Sequence, residues 1–435
     1  MFLRTLTLAA AAAAAIATAV PAFAEGGHFI PVLSYRTGPY APNGVPFANG
    51  YVDYFEMLNF RDGGVGGVPF VIEECETGYK TDRGVECYDR LKENHGGAVA
   101  LSPWSTGTTY ALIEKASQDK IPILSMGYGR TSAADGRVFP WIFNFPATYW
   151  SQASSMIAYI GQEAGGLDKL KGKKITLVHF DHPAGREPIP TLELLAEKYG
   201  YKLDKLPVAL NSLSEQKSTW LQVRKNRPDY VLFFGWGVMN STGMKEASAI
   251  RYPMDKILGW WWSGTEADVL PAAEAAKGYK AFTMNGAGSD YPVFKDLKAM
   301  HDAGKGVGAE SMGEVLYNRG LVNAAYIAEA IRIAQAHFNK TQLTGEDVRW
   351  GLENLDLTPA RIEEMGMTGL IPPTKVTCAN HEGTHPAALV QQWDGEKWNI
   401  VSDWVPAMSD VVRPLIEQDA ALYAKENNIT PRSCS

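Results

Sequence analysis

Strand-like and helix-like patterns alternate along most of this chain, and that alternation leaves few folds open to it. The clearest unit runs from Ala98 to Arg130. An apolar run over 98–101 leads into a polar loop through Trp104, Ser105 and Thr106. A helical stretch follows through Leu112 and Ile113, and a second apolar run, Ile121–Leu124, ends in Gly127, Tyr128 and Gly129. Read by period, this is one βαβ unit. Parallel strands joined this way leave a crevice at their carboxyl edge, where the next helix presents unpaired backbone N–H groups. A small polar ligand is therefore expected at 102–109 and 125–130.

The same cycle comes before and after that unit. Ahead of it lie strand Phe29–Ser34, a Gly/Pro loop over 37–46, helix Asn49–Asn59, strand Pro69–Glu73 and helix Thr81–Asn94; Trp141–Phe145 adds a last strand. A second series starts near Thr148. Its strands Lys174–Phe180, Lys202–Val208, Tyr230–Phe234 and Lys256–Trp260 alternate with helices Ser151–Glu163, Thr191–Tyr199, Glu215–Arg227 and Thr242–Ile250. Such alternation predicts the α/β class, with two doubly wound parallel-sheet lobes covered by helices on both faces. The last third forms no third lobe. It holds strand Ala281–Met284, helix Glu314–Gln335 with an apolar stripe through Leu316 and Leu321, a loop over Gly366–His385, a hairpin about Asp394 and Gly395, and helix Val411–Lys425.

Arg4, the apolar run Leu6–Val20 and the small-x-small triplet ending at Ala24 read as a signal peptide cleaved after Ala24. The chain is therefore expected in the periplasm. Removing 1–24 from the 435 residues leaves 411, more than one core usually serves. No later stretch approaches the ~20 apolar residues of a membrane span. The formal charge of −7 is scattered, and no basic run interleaves with aromatics, which argues against nucleic acid as a partner. Cys75, Cys87, Cys378 and Cys434 allow three pairings, of which Cys75–Cys87 with Cys378–Cys434 is favoured. The loop-entropy model assigns ~3 and ~4 kcal/mol to these bridges.

Catalytic motifs are poorly supported. His381–His385 spells HExxH, but a zincin needs both histidines one turn apart on a helix. Gly383, Pro386 and the Pro372-Pro373 pair make that helix a poor one, so the segment reads as a loop. An exported metal-dependent hydrolase using His381 and His385 is kept as the alternative of another class. His179 and His182 flank Asp181 at a strand end and read first as an exposed polar loop. No nucleophile elbow or phosphate loop occurs, and no cofactor or metal is expected. Trp104, Trp236 and Trp260–Trp262 each fall at a strand's carboxyl end. Any one of them alone would be read as core; several together suggest cleft walls for a planar or apolar ligand.

In its order of motifs the chain resembles the periplasmic leucine/isoleucine/valine-binding family of ABC-importer receptors. The points of likeness are Thr37, Gly38 and Pro39 with Asn43 and Gly44, the Ser105-Thr106 loop, Ile121–Ser125, and Ala275–Tyr279 leading into a strand. The resemblance implies a monomeric receptor that closes by hinge motion on one ligand and docks on a permease. It also implies three crossings between lobes, near Ala147, Met284 and Val376. Lobe one would be 26–147 plus 285–376, and lobe two 148–284 plus 377–435. Relatives often have a disulfide where Cys75–Cys87 falls. Carried over by position, Ser105, Thr106, Gly127, Tyr128 and Gly129 would hold a ligand carboxylate, Asn43 would cover it, and Asp181, Trp236 and Gly237 would line the second lobe. The acid that binds an ammonium group in amino-acid receptors is replaced by Trp261. Cation–π attraction contributes only ~0.5–2 kcal/mol, so the resemblance points to an aromatic or apolar carboxylic acid, with a branched-chain or other amino acid as the alternative.

Overall fold

The computed structural model describes residues 26–434; the expected signal peptide lies outside them. Two sheets carry the fold. The first holds β1 (His28–Ser34), β2 (Phe70–Glu76), β3 (Ile123–Leu124) and β4 (Ile142–Phe143). β1 pairs in parallel with β2, bridges at Ala98, Leu101 and Ser102 join β1 to β3, and β3 pairs in parallel with β4. The second sheet holds β5 (Lys174–Phe180), β6 (Lys202–Val208), β7 (Tyr230–Phe234), β8 (Ile257–Gly259) and β9 (Lys280–Thr283), parallel in the order β6-β5-β7-β8-β9. The body around each sheet is called a lobe, and the α/β class and the two parallel sheets expected from the sequence are both present.

The rest of the chain covers or links these sheets. A two-stranded ladder of β10 (Asp356–Leu357) and β11 (Thr374–Lys375) stands apart, while β12 (Ala387–Trp393) runs antiparallel on β9 and turns through Asp394 and Gly395 into β13 (Trp398–Ile400). Near the first sheet lie α1 (Ala41–Asp62), α2 (Thr81–Leu91) and α3 (Thr106–Asp119). The second lobe holds α4 (Tyr149–Ala164), α5 (Pro183–Arg186), α6 (Ile189–Tyr199), α7 (Lys217–Asn226), α8 (Val238–Ala249) and α9 (Glu266–Val269). The chain then returns to the first lobe with α10 (Val293–Asp302), α11 (Val315–Phe338), α12 (Gly345–Glu353) and α13 (Pro359–Glu364), and ends in α14 (Ser409–Glu426). No helix among the described residues is long and apolar enough to cross a membrane.

Several boundaries differ from the sequence reading. The first helix starts at Ala41, not Asn49, because Pro42 falls in its first turn, where a missing N–H costs nothing. Pro46 inside the helix was the misleading signal. The loop expected over 366–385 contains β11, but His381 and His385 lie outside any helix. Residues 377–384 stay against the first lobe: His381 N donates to Ala134 O and Asn144 N donates to His381 O. The chain therefore passes to β12 after Thr384, several residues beyond Val376. The disulfides are Cys75–Cys87 and Cys378–Cys434.

One helix pair holds the first lobe in register with the seam between lobes. α1 and α11 cross where Gly50 and Gly320 meet. A Cβ on Gly50 would stand 1.9 Å from Tyr317 O, and one on Gly320 would stand 1.9 Å from Phe47 O. Both close approaches are to backbone, which cannot rotate away. Gly320→Ala is expected to force the helices apart and destabilise the protein by about 3 kcal/mol, a shift in urea midpoint with little change in slope. A loss under about 0.5 kcal/mol would contradict this packing.

Candidate functional site

The carboxyl edges of the two sheets face each other, so the loops after their strands meet along one seam. From the first lobe come Tyr35 after β1, Trp104–Thr106 leading into α3, and Gly127–Gly129 after β3. From the second come Trp236 and Gly237 after β7 and Trp260–Trp262 after β8, with Tyr149 opening α4. Nearly all of these side chains are buried. The rings touch across the seam: Tyr128 lies 4.3 Å from Trp262, and Tyr40 stacks on Trp236 at 5.7 Å.

Hydrogen bonds close the same seam. Trp262 Nε1 donates to Gly127 O at 2.7 Å, Thr106 Oγ1 and Tyr149 OH lie 3.1 Å apart, and Asn43 Nδ2 donates to Thr265 Oγ1 at 3.4 Å. Tyr110 OH donates to Glu187 Oε1. Gly127 has φ +80°, and a Cβ there would stand 3.1 Å from Trp261 Nε1 and 2.8 Å from Met284 Cε. Only glycine lets this loop come so close to the tryptophan wall. Gly129 adds a second left-handed turn at φ +52°, beside Thr106, Tyr149 and Glu187. A Cβ on Gly237 would stand 2.9 Å from the Tyr40 ring.

The seam holds donors without acceptors. Trp236 Nε1 and Trp261 Nε1 are buried with no hydrogen-bond partner, as is Trp104 Nε1. Trp104 packs edge-on against Phe47 and Tyr51 inside the first lobe, one ring behind the seam. Ser105 caps α3, its Oγ accepting from Thr108 N at 3.4 Å.

Behind the Trp262 ring, at 4.7 Å, stands the guanidinium of Arg319, which is 0% exposed. It donates to Asn285 Oδ1 at 3.0 Å, to Trp261 O and to Thr283 Oγ1. No carboxylate among the described residues lies within 4.0 Å of it. Burial lowers its pKa to about 10, against the attraction of Tyr128, Tyr35, Asp268 and Glu266.

Those two acids carry the opposite burden. Burial pushes Glu266 up to about 7 and Asp268 up to about 6. Glu266 Oε2 accepts from Val315 N at the start of α11, and Asp268 accepts from Asn240 Nδ2 at 2.7 Å and from Thr265.

The structure therefore brings Asn43, Ser105, Thr106, Gly127, Tyr128, Gly129, Trp236, Gly237 and Trp261 to one place. Asp181 follows β5, and its half-exposed carboxylate is bound to Arg186 at 2.6 Å. Tyr35, Tyr40, Tyr149 and Arg319 were missed. Tyr35 and Tyr40 flank the Gly38-Pro39 turn at a strand end, and Arg319 follows Leu316 by three residues on a buried helix. A lone arginine on an apolar face was the available signal.

The histidine motifs do not assemble. His381 is fully buried, stacked on Phe143 at 4.0 Å, with Nδ1 2.7 Å from Ile142 O. His385 is exposed, and no group of three or more metal-ligating side chains occurs among the described residues. His179 Nδ1 meets its neighbour Phe180 O, while His182 Nδ1 accepts from Ala184 N.

The model of the family described as periplasmic binding protein matches residues 28–397. The chain belongs to this family. A solved structure described as an ABC transporter permease from the Pseudomonas fluorescens group is 44% identical, with a TM-score of 0.89, covering 94% of this chain and 99% of that one. A branched-chain amino acid ABC transporter from Thermus thermophilus with bound valine is 21% identical, with a TM-score of 0.74, covering 90% and 98%. A solute binding protein of an ABC transporter from R. palustris in complex with benzoate is 16% identical, with a TM-score of 0.68, covering 88% and 99%. A search of curated proteins found no match. This periplasmic binding protein is thus a binding component of an ABC transporter and not an enzyme. Members of such systems are exported.

The raised acids set a pH dependence for this periplasmic binding protein. A carboxyl whose folded pKa exceeds its unfolded value binds more protons when folded, so stability falls as pH rises between the two values. For Glu266 the window runs from 4.5 to about 7. Glu266→Gln is expected to flatten the fall in unfolding free energy over that window by about 3 kcal/mol, read by urea titration at a series of pH values. An unchanged slope would contradict the burial of an ionising group there.

Proposed function

We propose that this protein binds a small organic carboxylate with an aromatic or otherwise apolar body between its lobes, by closure about three hinge passages. The observation that carries this reading is the pair of buried, unpartnered indole donors, Trp236 Nε1 and Trp261 Nε1, set among rings from both lobes. An unpaired buried donor costs about 1–3 kcal/mol, so a ligand that brings an acceptor is favoured over one that brings another donor. The first-turn amides of α3 add a positive field at Ser105 and Thr106. The hinge division taken here separates 26–147 and 285–384 from 148–284 and 385–435, the last boundary lying beyond Val376 because 377–384 bond to the first lobe.

An amino acid is the second reading, supported by the valine bound to the Thermus thermophilus relative. It needs an acid free for the ammonium group. Asp268 is engaged by Asn240 and Thr265, Glu266 by Val315 N, and Asp181 by Arg186. The benzoate bound to the R. palustris relative favours the first reading.

Ligand at 100 times its dissociation constant adds about 2.7 kcal/mol to stability. In a thermal-shift panel of aromatic acids, branched-chain amino acids and amides, the acids are expected to raise the melting temperature. They should also contract the protein in solution scattering. Trp236→Phe and Trp261→Phe, which keep the ring and remove the donor, are expected to weaken an acid that binds by about three- to tenfold. A response confined to zwitterionic amino acids would overturn the reading.

A further inference from the structure

The fold contains a link between the lobes in addition to the three chain passages. The last helix, α14, does not sit on one lobe. Just before it, Met408 N donates to Ser154 Oγ of α4 at 2.9 Å, and Asp410 pairs with Lys198 of α6 at 3.4 Å, both in the second lobe. Its far half lies on the first lobe. There Glu417 pairs with Arg137 at 3.0 Å, Asp419 pairs with Arg130 at 3.0 Å, and Tyr423 meets Phe139 at 4.8 Å. Between the two halves, Val412 and Ile416 pack against Ala134 of one lobe and Trp150 of the other.

Two features mark this helix as a strap. Pro414 stands inside it, at the junction of the halves. A proline there removes the bond to the carbonyl four residues earlier and creates a bending point. Beyond the helix the tail is fixed to the first lobe: Arg432 N donates to Arg137 O at 2.9 Å, Arg432 Nε donates to Gly136 O at 2.8 Å, and Arg432 also pairs with Glu353. Cys434 then closes a disulfide to Cys378, which lies in the segment held against the first lobe.

We propose that α14 and its disulfide-fixed tail form a strap across the seam that limits how far the lobes open, bending at Pro414 as they part. The tail holds one end, so opening must either bend the helix or peel its first half from α4 and α6. The strap rests on the hinge-closure reading given above.

The test uses the full, oxidised mature chain without ligand. Cys378→Ser with Cys434→Ser frees the tail; Cys75→Ser with Cys87→Ser, whose bridge stays within the first lobe, is the control for lost stability. A compact chain of this size has a radius of gyration of about 22 Å. The strap variant is expected to exceed wild type in solution scattering, with amide exchange at 125–130 and 260–265 several-fold faster, while the control leaves both unchanged. Pro414→Ala, which keeps both bridges and straightens the helix, is expected to slow exchange at the same segments. Equal exchange and radius in wild type and strap variant, or an equal effect from the control, would overturn the strap. Should the strap variant not fold, unchanged exchange in Pro414→Ala overturns it. If an acid from the panel contracts wild type while the strap variant behaves as wild type, the strap fails and the hinge reading stands. If no panel compound contracts wild type, the hinge reading fails first.

Discussion

The site depends on the way parallel strands end. Every strand of a parallel sheet delivers its loop to the same edge, and here two such edges press against each other. The residues that follow β1 and β3 are therefore neighbours of those that follow β7 and β8, although the two sets lie more than a hundred positions apart. That arrangement is why Tyr128 can meet Trp262 and why Trp262 Nε1 can reach Gly127 O. The loops can approach only where side chains are absent, and glycines at 127, 129 and 237 stand at those contacts. Behind them the first lobe is held stiffly by the backbone contact of α1 and α11 at Gly50 and Gly320.

Closing two apolar edges on one another also buries charge. Arg319 and the acids Glu266 and Asp268 are all withdrawn from water within the same region, and each departs from its ordinary pKa in the direction that disfavours its charge. Arg319 is held by neutral acceptors, and the acids by neutral donors. Among the described residues the indole N–H groups of Trp236 and Trp261 are left without partners at the seam, as is Glu187 Oε2. Desolvation makes such groups selective, because a buried donor without an acceptor is costly whereas an exposed one is not.

Much of this is legible in the residues themselves. Strands β5 and β7 fall where the apolar runs place them, because a parallel strand covered on both faces is nearly continuously apolar, whereas β6, at the edge of the sheet, is charged and mostly exposed. The α1 start was not legible: Pro46 suggested a break, yet tertiary packing on α11 holds the helix through it. Asp181 falls after β5, where the sequence expects a cleft residue, and Arg186 five residues on pairs with its carboxylate. Tyr35, Tyr149 and Arg319 were overlooked because each is an ordinary residue locally. Nothing in the stretch around Arg319 says that its side chain ends behind the ring of Trp262.

By itself the sequence determined the α/β class, the two series of parallel strands and the edge at which their loops gather. Those properties follow from local periodicity and from the rule that parallel strands share one carboxyl edge. It also carried the family, through the order of its motifs. Only the tertiary structure decided which donors lack acceptors, which charges share the seam, and that α14 reaches both lobes. These depend on distances between segments far apart in the chain, and no local pattern encodes a distance of that kind.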